Sequence, residues 1–97
     1  MTAGLNKSIE DGIRSADVYG RALRVYRYLR DNGPSHRDKI IHWCGFPSPK
    51  DQPVIAYVEF CNEVMRLDRI LRRHGMSIDG GVSTGEVYRL VRGGGQP

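Results

Sequence analysis

Ninety-seven residues allow one hydrophobic core and exclude two, since half-length cores would each bury too little surface to offset chain entropy. Fifteen Lys plus Arg against eleven Asp plus Glu give a net charge of +4, and all of those cations but Lys7, Lys39 and Lys50 are Arg, the side chain suited to forked contact with phosphate or guanine; the balance favours a polyanionic partner. No run approaches the roughly 20 apolar residues of a membrane span, and no basic start precedes an apolar stretch, so the expectation is a cytoplasmic protein with Cys44 and Cys61 reduced in its core.

Residues 1–16 are mixed in character. Gly4 and Gly12 dilute helix propensity, whereas Leu5, Ile9 and Ile13 recur at helical spacing. The segment fits a loose arm or a short helix meeting a protein partner, ahead of a domain spanning 17–92 and a Gly-rich tail at 93–97. From Asp17, a candidate N-cap, Val18, Ala22, Val25 and Leu29 share one helical face, and Asn32-Gly33-Pro34 ends that first helix. Ser35, three residues before Asp38, opens a short second helix carrying Ile40, Ile41 and Trp43 and stopping at Gly45.

The stretch from Phe46 to Pro53 holds three prolines and reads as a turn. A third helix follows from about Val54 to Arg73. At 100° per residue Phe60, Val64, Leu67 and Leu71 form one stripe, while Asn62, Arg66, Arg69 and Arg73 fall on the opposite side. Trp43 and Tyr57 read as packing residues rather than base-stacking platforms. After His74-Gly75 the period changes to two: Met76 and Ile78 alternate with polar residues, Asp79-Gly80-Gly81 and Ser83-Thr84-Gly85 form a Gly-rich tip, and Tyr88 and Leu90 share a face. The pattern is mainly α with a small C-terminal β-hairpin.

The stretch Asn62 to Val91, above all Leu67-Asp68-Arg69-Ile70-Leu71-Arg72-Arg73-His74-Gly75 and the closing Gly85-Glu86-Val87-Tyr88-Arg89-Leu90, resembles the C-terminal half of winged helix-turn-helix transcription regulators, including response-regulator effector domains. A looser likeness covers residues 18–91, with a turn at Phe46 to Pro53 that is longer and richer in proline than a tight helix-turn-helix connection. The resemblance implies three helices plus a wing, with the third helix in a DNA major groove and the wing over a neighbouring minor groove or backbone. It also implies a regulator such as a repressor, a phage-type control protein or a recombination accessory factor.

The residues of the chain add to that expectation. Arg66, Arg69 and Arg73 recur at neighbour spacing with no core duty, and Asn62 can bond adenine through two hydrogen bonds. Ser35, His36, Arg37 and Lys39 stand where a helix N-terminus attracts phosphate. Ser83 and Thr84 can donate to phosphate from the wing, with Arg89 beside them. One such domain offers a small contact area, so a homodimer is expected at least on double-stranded DNA. Glu59 and Glu63 oppose phosphate near the start of the third helix and favour the alternative, a winged-helix adaptor or inhibitor that binds protein and not DNA. His42 and Cys44 form an isolated pair without the second pair a zinc site needs, and no nucleophile, phosphate loop or cofactor motif stands out; neither catalysis nor a cofactor is expected.

Overall fold

In a computed structural model, which describes residues 3–17 and 20–93, the chain orders four helices and three strands. α1 spans Ala3–Ala16, so the N-terminal segment is a helix and not a loose arm. Two glycines in a helix interior cost about 1 kcal/mol each, yet complete burial of Ile9 and Ile13 returns roughly 1.5 to 3 kcal/mol for each side chain. A Cβ at Gly12 would stand 3.5 Å from Ile70 Cγ2, an ordinary contact distance, so α1 packs against the fourth helix there without requiring glycine. Ile9 and Ile13 therefore belong to the same core as the rest of the chain and are not available to a protein partner.

α2 is Arg21–Asn32, with Ala22, Val25, Tyr26 and Leu29 buried at the i, i+3, i+4, i+7 positions of one face. It begins four residues after Asp17, with Gly20 as N-cap, but Asp17 still serves this terminus by accepting the Leu23 amide through Oδ2 at 3.0 Å. Val18, assigned to this face from the sequence, lies outside the described residues. Gly33 ends the helix at φ +73°, donating its N–H to the Leu29 carbonyl at 2.9 Å.

Ser35–His36 then form β1, a strand the sequence reading missed because two residues show no period. α3 is Arg37–Trp43, and its N-cap is His36 rather than Ser35: Nδ1 accepts the Asp38 amide at 3.1 Å, while the buried Ser35 hydroxyl donates to the Gly33 carbonyl at 2.9 Å. Ile40 and Ile41 point into the core as expected, but Trp43 is 67 % exposed and does not pack there. After the turn, in which Phe46 is buried, α4 runs Pro53–Arg72, with Pro53 at its first position, where its missing N–H costs nothing.

β2 (Met76–Asp79) and β3 (Val87–Arg92) make the expected antiparallel hairpin, in the register Met76↔Arg92 to Asp79↔Arg89. β1 adds to the other side of β3 through Ser35↔Tyr88 and His36↔Val87, giving a three-stranded sheet ordered β1-β3-β2. Gly80 is required at the turn out of β2, because a Cβ would sit 2.5 Å from the Tyr88 ring and 2.7 Å from the Val87 carbonyl. Phe60 occupies the centre, with edge-to-face contacts to Phe46 at 5.9 Å and to Tyr88 at 5.1 Å, joining α4 to the turn and to β3. Among the described residues, no helix is long and apolar enough to cross a membrane.

Both cysteines are unpaired thiols, but only Cys44 is in the core; Cys61 sits on the exposed side of α4. Burial pushes the Cys44 thiol up to about 11, so almost none of it is thiolate near neutral pH. Iodoacetamide at neutral pH is expected to label one site per folded chain, at Cys61, and a second only in denaturant. Peptide mapping that finds Cys44 labelled at the same rate as Cys61 would overturn this packing.

An ion cluster ties α1 to α2. The buried Glu10 carboxylate accepts Arg27 Nη2 and Arg30 Nη1 at 2.8 Å each, and Asn6 Oδ1 accepts the Tyr26 hydroxyl at 2.8 Å. The hydrogen bond from Arg27, assisted by Arg30 against the opposing effect of burial, holds the Glu10 carboxyl at about 2, below its ordinary 4.5. A depressed carboxyl stabilises the fold above the unfolded-state value and loses that contribution as pH falls through the folded value, here between about 4.5 and about 2. Because the arginines are partly exposed, screening leaves about 1 to 2 kcal/mol. Glu10→Gln is accordingly expected to lower stability by that amount at pH 7 and to flatten the loss of stability below pH 4.5, read from urea unfolding at a series of pH values. An unchanged acid limb would show that Glu10 does not carry it.

Candidate nucleic-acid interface

The side chains that could meet a partner lie mainly on α4, whose far end is pinned. Asp68 Oδ1 accepts the Ile78 amide of β2 at 2.9 Å, and Asp68 Oδ2 accepts Arg72 Nε at 2.8 Å. The near end is held through Arg37, whose guanidinium stacks on the Tyr57 ring at 4.2 Å, bonds Asp38 at 3.1 Å and lies 3.8 Å from Glu86. The core stripe is as expected, with Phe60, Leu67 and Leu71 buried and Val64 half-buried.

The opposite face divides into two halves. Its C-terminal half is basic: Arg69 and Arg73 are exposed and, among the described residues, form no ion pair, and Asn62 is exposed on the same side. Arg66 falls on that face but is engaged, its Nη1 lying 3.2 Å from Glu63 Oε1. From Val54 to Met65 the face around Asn62 is apolar, with Val54 73 %, Ile55 49 %, Val58 53 % and Met65 61 % exposed. The sequence reading overlooked this stretch, although the same 100° arithmetic puts Ile55 and Val58 beside Asn62.

Glu59 and Glu63 are turned to the flank of this helix. Glu59 pairs with Arg21 of α2 at 2.5 Å. Glu63 is buried, and burial raises its carboxyl against the opposing pull of Arg66; its Oε2 has no hydrogen-bond partner among the described residues. Neither occupies the outer face, so repulsion of phosphate from the start of α4 is weaker than their positions in the sequence suggest.

The remaining assigned residues are differently placed. Ser35 is buried and hydrogen-bonded within the turn, so its hydroxyl is not offered to solvent. The first amides of α3 are already used, Arg37 N–H by the Glu86 carbonyl at 2.8 Å and Asp38 N–H by His36, which removes most of the anion-binding capacity expected at that terminus. Lys39 stays exposed, and Lys50 in the turn is exposed as well; neither has an ion pair among the described residues. An open pocket of about 500 Å³ lies between α3, the turn and α4, lined in part by Lys50, His42, Ser48 and Tyr57.

In the hairpin tip, Ser83 is exposed and Thr84 is not a free donor: its Oγ1 donates to the Val87 carbonyl at 2.8 Å and accepts the Gly81 amide at 3.0 Å. Arg89 pairs across the strands with Asp79 at 3.2 Å. Among the described residues, no group of three or more His, Cys, Asp or Glu side chains is placed to hold a metal ion. No protein-family model, no curated protein and no solved structure matches the chain.

Proposed function

We propose that the chain is a DNA-binding regulatory protein of the winged helix-turn-helix type, with the outer face of α4 in the major groove and the β2-β3 tip beside the backbone. The observation that carries this reading is the set Asn62, Arg69 and Arg73: exposed, unused by the core, and presented on a helix whose two ends are pinned by Arg37 and Asp68. The element order supports it too, since a long helix runs into a hairpin whose inner strand also takes up β1. Base contact falls to Asn62 and backbone contact to Arg69, Arg73, Lys39 and Lys50, while Arg66 is held back by Glu63.

A titration of labelled random and genomic duplexes at several salt concentrations tests this. Four free cations imply a slope of log K against log salt of about −3 to −4. Absence of binding at low salt would leave the second reading, a module that docks on protein, which the exposed Val54, Ile55, Val58 and Met65 favour.

A further inference from the structure

Where a groove-inserted α4 would meet base edges, its surface is almost entirely hydrocarbon. Val54, Ile55, Val58 and Met65 stand exposed on the outer side, and Asn62 is the hydrogen-bonding side chain set among them. From Val54 to Met65 the helix advances about 16 Å at 1.5 Å per residue, roughly the rise of five base pairs. We propose that this face selects A·T-rich duplex DNA, with the apolar side chains packing against thymine C5-methyl groups and Asn62 bonding adenine. The inference rests on the DNA-binding reading above and names the sequence class that such a site would take.

Three observations favour this occupant. The thymine methyl is the apolar group that base pairs present in the major groove, so a hydrocarbon surface gains there and gains little against the acceptors of guanine. Guanine reading calls for a free Arg or Lys fork in the same stretch; Arg66 is bound to Glu63 at 3.2 Å, and Arg69 and Arg73 lie farther along the helix. Exposed cations without an ion pair among the described residues also bracket the apolar stretch, Lys50 ahead of its first turn and Arg69 and Arg73 beyond its last. A groove floored by methyls and walled by two phosphate strands matches that distribution of charge.

The test begins with a pool of random-sequence duplexes at near-physiological salt, sequencing the fraction that binds the full chain. Runs of about four to five A·T pairs are expected to be enriched. The best-bound duplex is then remade with deoxyuridine for thymidine, which removes the methyl and keeps every hydrogen bond. Affinity is expected to fall about fourfold for each methyl contacted. In Val58→Ala, whose folding is checked by its melting curve, the thymine-to-uracil penalty is expected to shrink by about one such factor. Binding without sequence preference, enrichment of G·C runs, or equal affinity for the thymine and uracil duplexes would overturn the inference while leaving DNA binding in place. So would sedimentation of the free chain as a dimer that Val58→Asp converts to monomer, because a second copy would then cover this face. Failure to bind any duplex would remove both the inference and the reading beneath it.

Discussion

Phe60→Ala is expected to cost about 3 to 5 kcal/mol of folding stability, among the largest effects of any single substitution in this chain. The ring is buried at the junction of α4, the Phe46 turn and β3, so its loss opens a cavity and removes two edge-to-face contacts together. Neighbours cannot easily close the gap, because Tyr88 is fixed through its hydroxyl to Glu86 at 2.8 Å and through its backbone pairing with Ser35 of β1. For a domain of this length the melting temperature should drop by about 15 to 30 °C, and marginal stability leaves little reserve. Leu67→Ala, fully buried on the same stripe, should cost about 2 to 5 kcal/mol. Calorimetry showing a loss below 1 kcal/mol for Phe60→Ala would mean that the three elements do not meet at this ring.

The double substitution Arg69→Ala with Arg73→Ala is expected to weaken DNA binding about 30-fold at near-physiological salt and to make the salt slope about two units shallower. Both guanidinium groups are exposed and neither has an ion pair among the described residues, so the phosphate contacts they make are lost without a substitute. Cognate and random duplexes should weaken together, since contacts near the end of α4 report backbone rather than sequence. The melting temperature should change little, as neither side chain enters the core. Arg66→Ala should have a smaller effect on DNA than either, because its charge already faces Glu63. An unchanged salt slope in the double variant would exclude the C-terminal half of α4 from the interface.

Much of this architecture was legible as periodicity. The apolar stripe Phe60, Val64, Leu67, Leu71 identified the longest helix and its inward face, and the shift to alternation after Gly75 marked the hairpin; both patterns extend over many residues, so local misreadings average out. β1 was not legible, because two residues become a strand only when β3 arrives to pair with them. The N-terminal helix was left open for a related reason. Gly4 and Gly12 argue against it locally, and only burial of Ile9 and Ile13 against the rest of the fold outweighs them.

The site was less legible than the fold. Sequence spacing puts Arg66, Arg69 and Arg73 on one helical face, but spacing says nothing of which charge has a partner, and Arg66 is the one that Glu63 holds. Ser35 and Thr84 have the chemistry of phosphate donors, yet backbone carbonyls brought near by the turn and the hairpin tip take their hydroxyl protons first. Cys61 sits on an apolar stretch of sequence, but the helix turns it outward while Cys44 is sealed in.

The sequence by itself determined the existence of α2 and α4, the stop at Gly33, the hairpin after Gly75 and the excess of arginine, because each depends on short-range backbone preference or on composition. Tertiary structure alone decided that α1 joins the core, that β1 completes a three-stranded sheet, and that many of the arginines are neutralised in pairs while Arg69, Arg73, Lys39 and Lys50 have no ion pair among the described residues. Those outcomes depend on which residues distant in sequence come within a few ångströms of one another, and burial and ion pairing are properties of that proximity, not of the chain read in order.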